Sequence, residues 1–204
     1  MDRKHSVKGR LLILICYCSS SLQILHEFVL EDEQVFTDCI NAPPGSRNAS
    51  GLFDFSRMNF TMDENGIYIE GNLTTVWDVP PEDVILGDMS ISYFDRGSWI
   101  PTLLNIHVKN VCNVLYDEEQ YWYKYWLVHV TNVKDVKDKC LNNPGTQIIF
   151  EPFYCNVVLG LDMPLRSGRY LTTFMLTAQD SNGVKHENTI CFSVRSEIHK
   201  IPKN

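Results

Sequence analysis

The stretch Met58-Asn59-Phe60-Thr61-Met62-Asp63-Glu64-Asn65-Gly66-Ile67-Tyr68-Ile69-Glu70-Gly71-Asn72-Leu73 decides the fold class. Phe60 and Met62 lead into Asp63-Glu64-Asn65-Gly66. Beyond that turn Ile67, Ile69, Leu73, Trp77 and Val79 keep one parity, with Gly71 and Thr75 between them. Period two on both sides of an Asn-Gly is the pattern of an antiparallel hairpin with one buried face. Upstream, Phe53 and Phe55 lie on the opposite parity from Met58, Phe60 and Met62. A β-bulge near Ser56 or Arg57 would bring both sets to one face.

The same period continues outward. Ile85, Met89, Ile91 and Tyr93 form a further strand that turns at Asp95-Arg96-Gly97, and Leu104, Ile106 and Val108 follow Pro101. Gln147 to Leu161 reads as one strand interrupted by Pro152. Tyr170, Thr172, Phe174, Leu176 and Ala178 make another, and Asp180-Ser181-Asn182-Gly183 turns it into Val184 to Val194, where Ile190, Phe192 and Val194 share a face. The exception is Leu115 to Val130, which has no Gly or Pro and sets Leu115, Trp122, Trp126 and Val130 near one helical face. A short helix opened by Asp117 is the reading there; the alternation of Tyr121, Tyr123 and Tyr125 keeps a strand as the alternative. The architecture expected is mostly β, an antiparallel two-sheet β-sandwich or β-cup with one short helix insert.

Composition narrows the function classes. A formal charge of −7, with no basic stretch beyond the first 20 residues, is wrong for nucleic acid, whose phosphates need clustered Lys and Arg. Residues 1–20 read as a signal peptide. Arg3, Lys4, Lys8 and Arg10 precede the apolar run Leu11 to Cys18, and Ser19-Ser20-Ser21 offers the small residues of a cleavage site. The run is shorter than the roughly 20 residues a membrane span requires; a buried N-terminal helix or an anchor is the alternative. Residues 21–51 are then an N-terminal segment and loop, rich in Pro, Gly, Ser and Asn from Ala42 on, and the β domain spans residues 52–198. An extracellular protein is expected. Three sequons, at Asn48, Asn59 and Asn72, agree with export and would coat one face of the N-terminal half with sugar.

Five cysteines remain beyond the leader: Cys39, Cys112, Cys140, Cys155 and Cys191. None has a CxxC spacing and no histidines cluster beside them, which argues against zinc. In an oxidising compartment they pair. The preferred pairing joins Cys39 to Cys191, tying the N-terminal segment to the last strand, and Cys112 to Cys140, closing the middle. Chain entropy gives upper figures of about 5 and about 3.5 kcal/mol for these two. Cys155, in an apolar run, reads as a buried free thiol; an intermolecular bridge or a rearranged pairing is the other reading.

No catalytic constellation is visible: there is no GxSxG, HExxH, Walker loop, GxGxxG or EF-hand pattern. His107, His129 and His186 are isolated in sequence and read as surface or satisfied core histidines. Asp63-Glu64, Glu82-Asp83 and Glu118-Glu119 read as solvated charges, although dispersed carboxylates leave a secreted hydrolase as a remote alternative. No cofactor or metal is implied. The aromatic supply is the unusual feature. Most rings belong in a core, but a cup with space between its sheets would use some to line an apolar cavity. Each methylene of a lipid moved there from water contributes about 0.8 kcal/mol before ordering costs. Parity turns Phe60, Trp77, Ile91, Tyr93, Phe174, Leu176 and Phe192 inward, and these are the candidate cavity contacts. Trp122 and Trp126 would cap the mouth or pack on a sheet. The rival is a protein-interaction sandwich with a filled core.

Met62-Asp63-Glu64-Asn65-Gly66, Trp99-Ile100-Pro101-Thr102, Trp122-Tyr123-Lys124-Tyr125-Trp126, Asn143-Pro144-Gly145-Thr146, Glu151-Pro152-Phe153, Gly168-Arg169-Tyr170 and Cys191-Phe192-Ser193-Val194-Arg195 resemble, in this order, the insect chemosensory protein B family. The likeness runs from about Cys39 to Glu197. It implies a secreted protein of taste sensilla with a fold similar to the lipid-recognition superfamily of the ganglioside activator protein, a two-sheet β-cup with an apolar cavity. It further implies a carrier or co-receptor for a lipid or long-chain hydrocarbon ligand in gustatory or pheromone perception, presenting it to a sensory-neuron membrane receptor or channel without catalysis. Cys39, Cys112, Cys140 and Cys191 fit the family's cysteine positions; Cys155 departs from them.

Overall fold

The computed structural model describes residues 23–202. The leader expected at 1–20 lies outside them. Among the described residues ten strands and a few short helices make a mostly β, antiparallel fold, in which a curled sheet A lies with a smaller sheet B in a sandwich-like arrangement.

Sheet B is the hairpin that the sequence announces, with one strand added. Strand β3 (Phe53–Asp63) pairs with β4 (Gly66–Thr75), and β7 (Gln147–Tyr154) closes the order β3-β4-β7. The loop is Glu64-Asn65, one residue earlier than Asn-Gly, with Gly66 at φ 116 opening β4 and the Asp63 carboxylate accepting the Asn65 amide at 2.7 Å. The register shifts between Asp54 and Arg57, so Phe53, Phe55, Met58 and Phe60 all reach the same interior. At Gly71, φ is 112 and a Cβ would stand 2.1 Å from the Arg57 carbonyl oxygen. Only glycine fits there, because a side chain would meet both a strained backbone and a backbone atom that cannot yield.

The strands of sheet A are β1 (Ile24–Leu30), the two-residue β2 (Thr37–Asp38), β5 (Val84–Asp95), β6 (Ser98–Val108), β8 (Val157–Leu161), β9 (Gly168–Gln179) and β10 (Ile190–Lys200). They follow the order β6-β5-β9-β10-β1-β8, with β2 also on β10. Arg96 and Gly97 turn β5 into β6 with φ of 48 and 85, the two positive values that a type I′ hairpin demands. Pro101 and Pro152 both lie on edge strands, β6 and β7, where a missing N–H costs no ladder bond.

Several expectations need correction. Gln147 to Leu161 is two strands in different sheets, broken at Cys155-Asn156 and not at Pro152. The last strand starts at Ile190, not Val184. The Asp180 carboxylate draws the Val184 and Asn182 amides into a wider loop, at 2.8 Å each. Those bonds hold the Asp180 carboxyl below its ordinary range. Residues 24–30, placed by the sequence in a segment outside the β domain, form an inner strand of sheet A between β10 and β8. The single helix expected over Leu115 to Val130 is instead a series of one-turn pieces: α1 (Val111–Val114), α2 (Tyr121–Tyr125), a 3-10 turn at Leu127–His129 and α3 (Val133–Val136). Asp117 caps a turn before α2, its carboxylate accepting from the Glu119 amide and the Gln120 side chain. The helical face is nevertheless right: Leu115, Trp122, Trp126 and Val130 all pack on the same cluster.

Ile67, Ile69, Leu73, Trp77 and Val79 are all buried, as their shared parity requires. The two expected disulfides form, Cys39–Cys191 across 152 residues and Cys112–Cys140 across 28. Cys155 is free, and burial pushes its thiol up to about 11, so little thiolate exists at neutral pH. The bridges fit an oxidising compartment. Among the described residues no helix is long and apolar enough to cross a membrane.

Replacing both Cys39 and Cys191 with serine should lower stability by about 2–5 kcal/mol. Guanidinium unfolding should show the loss in the midpoint, with a smaller loss for the Cys112/Cys140 pair, whose loop is shorter.

Candidate functional site

The interior is organised by the connector between β1 and β2, residues 31–36. It enters with three acids, Glu31-Asp32-Glu33, and then turns Val35 and Phe36 inward. The chain is held on both sides of that inward turn. Arg169 forms a bidentate pair with Glu31, both contacts at 2.8 Å, and its hydrogen bonds hold the Glu31 carboxyl below its usual range. The Arg169 guanidinium also lies 5.0 Å from the Phe94 ring centre, in cation–π contact. On the other side, Thr37 donates to the Ser193 carbonyl at 3.1 Å and Cys39 is bonded to Cys191.

Between these anchors the Phe36 ring meets four others: Phe55 at 5.3 Å, Phe60 at 6.1 Å, Trp126 at 5.9 Å and Phe192 at 5.5 Å between centroids. Phe192 stacks on Phe174 at 5.1 Å, and Trp126 meets Phe150 and Phe153. A chain of rings therefore runs from sheet A through Phe36 to sheet B. Most contacts are tilted or edge-on, the geometry that ring quadrupoles favour. Phe36, Phe55, Phe60, Phe174 and Phe192 are all half-buried.

A cleft of about 240 Å³ opens beside this chain. Val35, Phe36, Ala49, Phe55 and Phe60 form its apolar part; Glu33, Gln34, Asp38, Asn48 and Ser50 form its polar part. The 3-10 turn at Ala49–Gly51 makes one wall, capped by Asn48, whose Oδ1 accepts the Ser50 amide while its Nδ2 donates to Asp38. Glu33 Oε1 accepts the Met62 amide at 2.8 Å, fixing the connector to the end of β3. The volume is below the ~300–1,000 Å³ of pockets for drug-sized ligands, so a long molecule would fit in the cleft only in part.

The residues read from sequence as cavity contacts fall into three places. Phe60 lines the cleft, and Phe192 and Phe174 reach it through Phe36. Trp77 lies in the loop after β4, fully buried, with its indole N–H donated to the Asn188 carbonyl at 3.0 Å, and Leu176 packs on the same cluster. Ile91 and Tyr93 belong to a third cluster with Tyr170, Ile198, Phe28 and Leu165. Phe36, Val35 and Phe55 were not among the candidates; the opposite parity of Phe55 across the bulge was a usable signal for it.

Of the sequons, Asn48 stands on the rim of the cleft. Asn59 and Asn72 are on β3 and β4, their side chains meeting Glu70 and Gln147. The histidines are less solitary than their sequence positions imply. His107 contacts Asp88, His129 lies 3.3 Å from Glu151, and His186 lies 2.8 Å from Asp83. Asp83 is not a solvated surface charge: its side chain is 4% exposed, and Asn142 donates to the backbone around it. No group of His, Cys, Asp and Glu among the described residues is arranged to hold a metal ion. No family model matches the chain, and a search of curated proteins found no match.

Phe36→Ala should cost about 2–3 kcal/mol, below the ~3–5 kcal/mol of a fully buried Phe→Ala because the residue is only partly buried. Trp77→Ala should cost more. Thermal unfolding of the two variants side by side checks both costs; a Phe36→Ala loss near zero would mean that the connector is merely draped on the surface.

Proposed function

We propose that this protein is a secreted carrier or co-receptor that binds lipid-like or hydrocarbon ligands without turning them over. The observation that carries the reading is the set of half-buried rings around Phe36, which leave apolar surface in contact with a cleft. Each aromatic ring can bury 150–250 Å², so rings left partly open beside a cleft hold apolar surface that a ligand could cover. A hydrocarbon chain laid against them removes water from both partners, at about 0.8 kcal/mol per methylene before ordering costs. Binding of that kind needs shape and little polar recognition.

Two disulfides, three sequons and the leader-like first 20 residues support an extracellular site of action. The ordered motifs that resemble the insect chemosensory protein B family give the carriage a setting: perception of apolar cues by taste, with delivery to a sensory-neuron receptor or channel. An acidic chain suits passage through an aqueous sensillum rather than retention on nucleic acid or anionic lipid.

A second reading, an adaptor that binds protein, is favoured by the edge strand β6. Leu103 is 91% exposed there, between Ile100 at 49% and Ile106 at 42%. Protein secreted from eukaryotic cells and extracted with organic solvent separates the two readings. The carrier reading expects co-purified lipid by mass spectrometry and displacement of a fluorescent fatty probe near one equivalent. No extracted lipid and no probe binding would leave the adaptor.

A further inference from the structure

We infer that the cleft beside Phe36 selects an apolar chain ending in a hydrogen-bond donor, such as a hydroxyl, and excludes the carboxylate of the same chain length. The inference rests on the carrier reading and adds the chemistry of the ligand's head. The floor that would take the chain is Phe36, Phe55 and Phe60. The rim that would meet the head carries the carboxylates of Glu33 and Asp38, and among the described residues no lysine or arginine lines the cleft.

Their protein bonds fix those carboxylates in place. Glu33 Oε1 takes the Met62 amide at 2.8 Å, and Asp38 Oδ1 takes the Asn48 side-chain N–H at 3.0 Å. A carboxylate has two oxygens and about four acceptor positions, so one bond each leaves acceptors for a guest. An alcohol can donate to either. A carboxylate head has no proton to give, and it brings a third negative charge to a rim whose lining residues include no lysine or arginine, in a chain of net charge −7. The disulfide next to Asp38, Cys39–Cys191, and the β2 pairing hold the backbone at Asp38 against the last strand.

Two like charges facing the head through a water-like dielectric imply a discrimination of about tenfold. The test titrates the secreted full-length protein with 1-decanol and with decanoate at pH 7.5, each displacing the same uncharged fluorescent probe. The alcohol should bind about tenfold more tightly. Raising the salt from about 20 mM to about 1 M shortens the screening length to about 3 Å and should shrink that ratio severalfold. Glu33→Gln with Asp38→Asn keeps the internal acceptors and should bring decanoate to within about threefold of decanol. Equal binding of both probes to the unaltered protein would overturn the selectivity and leave the carrier reading standing. A preference that persists unchanged in high salt and in the double variant would overturn the assignment to Glu33 and Asp38. Binding of neither probe would remove the carrier reading itself.

Discussion

The inward turn of Phe36 is the constraint on which the interior depends. One ring touches β3, β10 and the helical insert, so the two sheets meet through a residue that belongs to neither main ladder. Pairs of this kind contribute about 0.5–1.5 kcal/mol each beyond burial. They do so only if the connector is already held in place. The Glu31–Arg169 pair before Phe36, and Thr37 and the Cys39–Cys191 bridge after it, supply that restraint. Without them, ordering a polar connector would cost about 1–2 kcal/mol per residue in backbone entropy alone.

The same arrangement makes the interior unequal. Around Trp77, Ile85, Ala178 and Ile190 the packing is complete, with several of these side chains fully withdrawn from water. Around Phe36 the rings of Phe55, Phe60, Phe174 and Phe192 are only partly buried. A protein that needed only a solid core would gain stability by closing that region. The partial exposure beside a cleft with an acidic rim is the physical basis for reading this end of the sandwich as a place where something apolar is received. Asn48 on the same rim would bring a glycan, if one is attached, to the mouth of the cleft.

Local patterns in the chain foretold what depends on local chemistry. Parity identified the buried side of β4, and its reversal at Phe53 and Phe55 located the bulge. Arg96-Gly97 marked a turn whose two positive φ values the structure confirms. The cysteine pairing was legible too. The parts that escaped are those decided by distant partners. Residues 24–30 carry apolar side chains on both parities, with Leu25 and Val29 exposed, so no clean alternation marks β1. Phe36 follows a run of acids that reads as solvated loop, and only a salt bridge 138 residues away shows why it is not. Trp77 kept its parity but not its strand, since Thr75 turns away to bond the Asn143 and Thr146 carbonyls, and its ring filled space where a cavity wall was expected.

The central claim is that a hydrocarbon lies against the Phe36 ring between the two sheets. Isotope-filtered nuclear Overhauser spectroscopy on protein with 13C-labelled phenylalanine and leucine and an unlabelled long-chain alcohol tests it most directly. The account predicts cross-peaks from chain methylenes to the rings of Phe36, Phe55 and Phe60. Cross-peaks confined to Leu103 on the exposed edge, or none at all to those three rings, would contradict it.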